Sequence, residues 1–275
     1  MTSESTISWE AAVERLRADP GANALVRACY YDDPLLVAAQ RFFESSEWSA
    51  TKVLLPPPGR ALEIGAGRGI AAYALAREGW HVTALEPDLS AVVGSTAIRG
   101  LARDSGLSIE VVETWGESLP FAASSFDMVY CRAVLHHARD LATLCREVAR
   151  VLRPNGLFVA VREHVISREE DLQTFLDAHP LHRLYGGENA YLLEQYLACI
   201  RNAGLEVSSV LGPFSSDINL FPDSKQTVKK RIAARLHLPT GDWIPDAVLS
   251  LMDWLAKAPG RHYSFLAGKP EQATS

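Results

Sequence analysis

The chain reads Ala61-Leu62-Glu63-Ile64-Gly65-Ala66-Gly67-Arg68-Gly69 directly after the segment Pro56-Pro57-Pro58-Gly59-Arg60. Prolines stop any helix that approaches from upstream, so Arg60–Ile64 is predicted to be a short buried strand. Three glycines then alternate with other residues, and the alanine-rich segment Ile70–Gly79 ends at a glycine, as helices often do. Strand, glycine turn and helix form the opening unit of a doubly wound parallel sheet.

The residues around the glycines indicate which ligand the turn accepts. A dinucleotide fingerprint, G-x-G-x-x-G, needs a glycine at position 70, where this chain has Ile70. Glu63 stands two residues before the first glycine, and its carboxylate would repel a pyrophosphate. The same carboxylate suits the cationic amino-acid end of a ligand. A nicotinamide-dependent reductase is therefore disfavoured.

Four further motifs follow the glycine turn in a fixed order. They are Glu86 after the predicted second strand His81–Leu85, Leu119-Pro120-Phe121 before Phe126-Asp127, His136-His137, and Arg153-Pro154-Asn155-Gly156. Together with residues 63–69 this set resembles the class I S-adenosylmethionine-dependent methyltransferases, in their small-molecule, methyltransferase type 11-like branch. The resemblance covers residues 55–212.

The resemblance implies an α/β fold with a doubly wound, seven-stranded, mostly parallel Rossmann-like sheet. We expect an N-terminal helical cap (1–55), a cofactor-binding domain (56–212), a helical insertion or lid (213–260), and a last strand and tail (261–275). Helices are predicted over residues 8–19, 22–31, 35–48, 89–103, 140–152, 167–178, 192–202, 220–236 and 245–256. Asp33 and Asp88 are predicted N-caps of the third and fourth of these helices. Ser167 and Glu170 read as a capping box.

Composition and charge exclude several classes of protein. The chain has 275 residues, 48% hydrophobic and 22% charged, with a net charge of −6, whereas nucleic-acid binders usually present a basic face. Its four cysteines include no C-x-x-C pair, and no apolar run is long enough to span a bilayer. The first residues lack the basic region of a signal peptide. We expect a cytoplasmic protein without nucleic-acid or membrane partners, with a homodimer as one possibility.

By the same resemblance, the cofactor is S-adenosylmethionine. Glu86 would accept the ribose hydroxyls, and an aromatic residue of the N-terminal segment would close over the cofactor. Trp115 stands where relatives commonly have an aspartate for adenine; it either stacks on the adenine, leaves that role to Glu117, or fills the core. The candidate cofactor-binding residues are Tyr31, Glu63, Gly65, Ala66, Gly67, Gly69, Glu86, Pro87, Trp115, Gly116, Glu117, Cys131 and His136.

Catalytic candidates follow two further predicted strands, Phe126–Cys131 and Leu157–Val161. His137, Glu163 and His164, in that order, are candidate general bases, because ligands of an open α/β sheet lie at the carboxyl ends of its strands. A base is needed only if the acceptor must lose a proton. One residue of the His136-His137 pair is expected to be structural.

The segment His179–Tyr191 is the least generic part of the sequence. It holds two histidines, two tyrosines, an acid and a Gly-Gly pair, and loops carry function more often than cores do. The candidate substrate-binding residues are His179, His182, Tyr185, Glu188 and Tyr191. Their spacing matches no standard metal site, so no metal is expected. Phe214, Phe221, Trp243 and Trp254 of the insertion would line an apolar pocket or attach the insertion to the sheet.

The main functional hypothesis is methyl transfer to an oxygen, nitrogen or carbon of a small molecule by in-line displacement in a lidded pocket. The alternative is a non-catalytic or regulatory module that holds the cofactor on the same fold. Cofactor-binding residues do not distinguish these two, whereas the cluster within His179–Tyr191 favours the enzyme.

Overall fold

The computed structural model describes residues 7–271. Residues 1–6 of the predicted N-terminal cap and residues 272–275 of the predicted tail lie outside the described residues. The described chain forms one central sheet with helices on both faces. The strands are β1 (Arg60–Ile64), β2 (His81–Leu85), β3 (Ile109–Val112), β4 (Phe126–Arg132), β5 (Leu152–Ile166), β6 (Tyr191–Leu192), β7 (Glu206–Leu211) and β8 (Arg261–Gly268). The predicted bounds of β1 and β2 are confirmed.

The sheet has the order β3-β2-β1-β4-β5-β8-β7, with the short β6 paired to β5. The strands β1 to β6 run parallel, and β8 is antiparallel to both β5 and β7. The predicted mostly parallel, doubly wound architecture is confirmed. Because β8 runs against β5, the beginning of β8 lies at the same sheet edge as the end of β5.

Thirteen α-helices of the described residues accompany the sheet. They are α1 (Trp9–Ala18), α2 (Asn23–Ala28), α3 (Leu35–Phe43), α4 (Ser46–Lys52), α5 (Ile70–Arg77), α6 (Ser95–Ser105), α7 (Leu141–Val151), α8 (Asp171–Ala178), α9 (His182–Tyr185), α10 (Leu193–Asn202), α11 (Asp217–Leu220), α12 (Lys225–Arg235) and α13 (Asp246–Leu255). One apolar core packs α7 and α10 on the sheet, and a second packs α3, α4, α5 and α6 on its other face.

The predicted helix over residues 35–48 is wrong in its extent and its cap. It divides into α3 and α4, because Ser45 caps a new helix by accepting a hydrogen bond from the backbone N–H of Trp48 at 3.1 Å. Pro34 is the N-cap of α3. The Asp33 carboxylate instead pairs with Arg68, and with Arg17 at 2.9 Å.

The predicted helix over residues 89–103 begins later than expected. Asp88 is not its cap: the Asp88 carboxylate accepts from the backbone N–H of Ser90 at 2.8 Å, a local turn that competes with helix formation. The chain then reaches α6 only at Ser95. The loop between them lies beside the glycine turn.

Two predictions in the C-terminal half also need correction. Ser167 and Glu170 form no capping box, since α8 begins at Asp171 without a side-chain cap. The insertion contains three α-helices where the sequence predicts two, because Ser216 caps the short α11 and Ser224 caps α12 separately. Among residues 7–271, no helix combines the length and the apolar character needed to cross a membrane.

Candidate active site

A cavity of about 830 Å³ lies at the carboxyl ends of the parallel strands. Residues of the turn after β1, the end of β2, and the segments after β4 and within β5 form its floor. The N-terminal helices and the segment 178–188 form its other walls. Ligands of open α/β sheets bind at this edge, so the topology itself brings the predicted site residues together.

The glycine turn forms one end of the cavity. Gly65 has φ +64°, and a Cβ there would stand 2.8 Å from Val134 Cγ2, so only glycine fits. Gly67 has φ +54°, and its backbone N–H donates to Glu86 Oε2 at 2.7 Å. The turn after β1 is thus tied directly to the acid that follows β2.

Two buried carboxylates face this end of the cavity. Burial raises the pKa of Glu86 to about 7, although the hydrogen bonds from the backbone N–H groups of Asp88 and Gly67 act to lower it. Burial also raises the pKa of Glu63 to about 8. Glu63 Oε2 has no hydrogen-bond partner. A buried carboxylate oxygen without a partner is costly, so Glu63 is suited to a ligand cation.

Trp115 lies on the cavity wall and is 49% exposed, which excludes the alternative that it fills the core. The Arg139 guanidinium stands over the indole ring at 3.9 Å from its centroid. Glu117, the other candidate for adenine, accepts a hydrogen bond from the backbone N–H of Arg139 at 2.8 Å.

The two adjacent tyrosines of the N-terminal segment have different surroundings. Tyr30 also borders the cavity, but it is fully buried and stacks on Phe221 with ring centroids 5.5 Å apart. Tyr31 is partly exposed, borders the cavity and meets Trp9 edge to face at 5.9 Å. Tyr31 is therefore the tyrosine suited to contact a cofactor.

His136 and His137 follow β4 and point to different partners. His136 is buried, and its Nδ1 lies 2.7 Å from Glu163 Oε2. Burial lowers the pKa of His136, but the hydrogen bond to Glu163 and the charge of the nearby Glu188 carboxylate outweigh it and raise the pKa to about 9. His137 is partly exposed, with Nδ1 3.0 Å from the carbonyl oxygen of Gly187. Burial, reinforced by the charge of His136, lowers its pKa to about 4.

Glu163 and His164 are neighbours in β5 with different roles. Glu163 is fully buried; its oxygens accept from the backbone N–H groups of Val134 at 3.0 Å and His136 at 3.2 Å, besides His136 Nδ1. It does not border the cavity, so its geometry is that of a positioning residue. His164 borders the cavity, and its Nδ1 lies 2.8 Å from the carbonyl oxygen of Gly260.

The loop that contains Glu188 folds over this histidine pair. Glu188 Oε1 accepts a hydrogen bond from the Tyr185 hydroxyl at 2.8 Å. Glu188 Oε2 lies 3.6 Å from His136 Nε2 and 3.7 Å from His137 Nε2. His179 Nδ1 lies 3.8 Å from Glu188 Oε1. The loop thus places one carboxylate among several imidazoles.

The structure brings most, but not all, of the predicted site residues to the cavity. Those that border it are Tyr31, Glu63, Gly65, Ala66, Gly67, Glu86, Pro87, Trp115, Gly116, Glu117, His136, His137, His164, His179, Tyr185 and Glu188. Those that do not are Gly69, Cys131, Glu163, His182 and Tyr191. Cys131 is fully buried in the sheet, and the Tyr191 hydroxyl donates to the carbonyl oxygen of Ala138.

Sequence reasoning did not single out His262, which borders the cavity. It is the cross-strand partner of His164 in the β5–β8 register, and the two rings lie 4.9 Å apart. The sequence would point to His262 as a site residue only if its strand were known to run antiparallel to β5, because that direction brings the start of the strand to the cavity.

Sequence reasoning also did not single out two partly buried arginines that border the cavity, Arg132 and Arg162. Arg132 forms a bidentate ion pair with Glu47 at 2.6 and 2.9 Å. Arg162 donates to the carbonyl oxygens of Ile218 and Phe221 at 2.8 and 3.1 Å. The bonds of Arg162 attach the insertion to β5.

The aromatic residues of the insertion do not line a common pocket. Phe221 borders the cavity, whereas Trp243 and Trp254 are 65% and 75% exposed and lie away from it. Of the two alternatives, a pocket lined by all four aromatics is therefore excluded.

Residues 62–160 match the family model described as "Methyltransferase domain". A segment of 133 residues is 38% identical to the glycine/sarcosine/dimethylglycine N-methyltransferase of Actinopolyspora halophila, covering 46% of this chain and 23% of that protein. A segment of 101 residues is 40% identical to the ubiquinone biosynthesis O-methyltransferase of Methylocella silvestris, covering 37% of this chain and 38% of that protein. The matches thus span less than half of these relatives.

The fold is also similar to that of geranyl diphosphate C-methyltransferase from Streptomyces coelicolor, solved with S-adenosyl-L-homocysteine. The TM-score is 0.58 at 14% identity, over 81% of this chain and 74% of that one. At this identity the likeness concerns the fold.

Proposed function

We propose that this chain, whose residues 62–160 match a methyltransferase domain, is a class I S-adenosylmethionine-dependent enzyme that transfers a methyl group to a small-molecule acceptor. The observation that carries the proposal is the continuity of one cavity. It extends from the glycine turn and Glu86 to His137 and Glu188. Cofactor and acceptor can therefore meet inside one cavity.

S-adenosylmethionine is the cofactor of this family, and three features of this chain fit it. Each oxygen of Glu86 accepts one backbone hydrogen bond and keeps a further acceptor position for a ribose hydroxyl. The unpartnered Glu63 Oε2 suits the cofactor's ammonium group. Trp115 presents an aromatic surface at the position expected for adenine.

When bound, the cofactor supplies a methyl group already activated by a sulfonium, with a neutral thioether as leaving group. The chain's own residues then have two tasks, which are to orient the acceptor and to remove its proton if it carries one.

We infer that His137 is the general base. Its Nδ1 lies against the carbonyl oxygen of Gly187, so Nδ1 carries the hydrogen and Nε2 keeps its lone pair. His137 is neutral near pH 7, because its pKa is lowered by burial and by the charge of His136. A neutral imidazole at the cavity favours an oxygen or nitrogen acceptor that loses a proton.

We propose that the N-terminal helices and the loop 179–188 together form the lid of the cavity. Val13 and Leu16 of α1 pack in one apolar cluster with Val26 of α2 and Leu181 of the loop. The backbone N–H of Ile7 donates to the carbonyl oxygen of Leu184 at 3.4 Å. These contacts join the two parts of the proposed lid.

The first test is calorimetric titration of the chain with S-adenosylhomocysteine, with NADH in parallel. We expect one site for S-adenosylhomocysteine and no heat from NADH. Absence of S-adenosylhomocysteine binding would contradict the proposal. Transfer is then followed with S-[methyl-³H]adenosylmethionine and a panel of small phenols, carboxylic acids and amines. Tight cofactor binding without transfer to any member of a broad panel favours the alternative, a non-catalytic cofactor-binding module.

A further inference from the structure

We propose that His136, His164 and Glu188 bind a divalent transition-metal ion at the acceptor end of the cavity. Each of the three offers one ligand atom, and these atoms lie within 4.8 Å of one another. The residues come from the turn after β4, from β5 and from the loop before β6, so no sequence spacing reveals the group. Two imidazoles and a carboxylate are a common donor set for such ions.

In each of these side chains, the nitrogen or oxygen that would not bind the ion already has a hydrogen-bond partner. His136 Nδ1 lies 2.7 Å from Glu163 Oε2, and His164 Nδ1 lies 2.8 Å from the Gly260 carbonyl oxygen. Glu188 Oε1 accepts from the Tyr185 hydroxyl at 2.8 Å. Metal-binding histidines characteristically donate their second N–H to a carboxylate or a backbone carbonyl. The arrangement leaves both Nε2 atoms and Glu188 Oε2 free for an ion.

The charges of the buried groups favour an ion of charge +2. Glu163 and Glu188 are both buried and acidic, and the imidazoles that ligate a metal are neutral. A dication therefore balances the two carboxylates. A proton on His136 balances only one of them. The competing arrangement is an imidazolium of His136 between the two carboxylates, and the experiment below distinguishes it.

The ligand atoms need only a small adjustment to meet one ion. In a tetrahedral site with bonds of about 2.0–2.1 Å, neighbouring ligand atoms lie roughly 3.3 Å apart. His136 Nε2 and Glu188 Oε2 are 3.6 Å apart, close to that value. The third donor, from His164, lies within 4.8 Å of the other two.

The ion would have a chemical role at the acceptor. Three protein ligands leave at least one coordination position, and His136, His164 and Glu188 all border the cavity. Resting on the proposed function, we infer that an oxygen of the acceptor occupies that position. A metal-bound hydroxyl loses its proton more readily, and His137 borders the same cavity to receive it. The expected acceptor class is therefore a phenol, enol or α-hydroxy acid.

The test uses the full chain, stripped of metal with a chelator and dialysed, in the absence of cofactor. Titration with Co²⁺ alone is followed by the visible absorption of the bound ion, and Zn²⁺ is then added as competitor. We expect one Co²⁺ per chain and its displacement by Zn²⁺. His164→Gln and Glu188→Gln should each weaken Co²⁺ binding at least about 100-fold, and Glu163→Gln about 10- to 100-fold. The control His81→Gln, at an exposed position on β2, should bind Co²⁺ like the wild type.

Folding of each variant is checked by urea denaturation, which does not depend on cofactor binding. The proposal is overturned if the wild type binds no Co²⁺, as expected for the imidazolium arrangement. It is also overturned if His164→Gln and Glu188→Gln remain folded and bind Co²⁺ like the wild type. Because Co²⁺ binding is measured without methyl transfer, failure of this proposal is distinguishable from failure of the proposed function.

Discussion

Glu163 Oε2 lies 2.7 Å from Nδ1 of His136; both side chains are buried, and of the two only His136 borders the cavity. Burial raises the pKa of Glu163, but the hydrogen bond and the charge of His136 outweigh it and hold this pKa below its ordinary value. Glu163 also accepts from the backbone N–H groups of Val134 and His136. One carboxylate therefore orients the imidazole and the turn that carries it.

Replacing Glu163 with Gln should reduce stability. The amide retains one acceptor oxygen and turns an N–H₂ group toward donors, so we expect the free energy of unfolding to fall by about 1–3 kcal/mol. Urea denaturation measures this change. Glu206→Gln, at an exposed position of β7, is the matched control and should leave the unfolding midpoint unchanged. Equal midpoints for both variants would mean that Glu163 has no orienting role.

Replacing Glu86 with Ala should weaken the binding of S-adenosylhomocysteine with the fold intact. Loss of hydrogen bonds to a charged acceptor costs about 1.5–3 kcal/mol, or roughly 10- to 150-fold in the dissociation constant. Calorimetric titration measures it, with Glu194→Ala on the exposed side of α10 as the control. An unchanged dissociation constant in Glu86→Ala would remove Glu86 from the cofactor site.

Replacing Trp115 with Ala should also weaken cofactor binding, whereas Trp115→Phe should retain most of it. Stacking of a base on an aromatic side chain is worth about 1–3 kcal/mol. The control is Trp254→Ala, because Trp254 is 75% exposed and lies away from the cavity. If Trp115→Ala and Trp254→Ala bind S-adenosylhomocysteine equally well, Trp115 does not contact the adenine.

Replacing His137 with Gln should lower the rate of methyl transfer and leave cofactor affinity unchanged. Loss of a general base typically costs 10²- to 10⁴-fold in rate. Single-turnover transfer from labelled S-adenosylmethionine, once an acceptor is identified, separates this effect from binding. His81→Gln serves as the control. A His137→Gln variant with the wild-type rate would show that the acceptor needs no base at this position.

The pKa of Glu63 predicts how stability depends on pH. Its folded-state pKa of about 8 lies above the ordinary value of 4.5, so the folded state holds a proton that the unfolded state has lost in this interval. The stabilising contribution is present below pH 4.5 and is lost as the pH rises through about 8. Relative to wild type, Glu63→Gln should therefore become progressively more stable between these values.

Urea denaturation of ligand-free wild type and Glu63→Gln at a series of pH values measures this difference. Taking the difference between the two proteins removes the contributions of the other titrating groups. A constant difference across the interval would contradict the raised pKa. Added S-adenosylhomocysteine should stabilise the wild type more at the upper end of the interval, because the ionised carboxylate pairs with its ammonium group.

Local signals predicted the first half of the sheet well. Arg60–Ile64 and His81–Leu85 have the predicted bounds, because each is a short apolar run between residues that break helices. Helix starts were less well predicted. Asp88 resembles a cap in sequence, but its carboxylate bonds to Ser90 and delays the helix to Ser95. Caps and turns use the same residue types, so the sequence alone does not separate them.

The sequence by itself determined the glycine turn, the acids Glu63 and Glu86, and the order of the motifs, because these depend on residues close together in the chain. Only the tertiary structure decided which histidines meet. His164 and His262 become partners because β8 is antiparallel to β5, and Glu188 reaches His136 because its loop folds back over the sheet edge. These are contacts between distant segments, and packing and strand direction set them rather than local spacing.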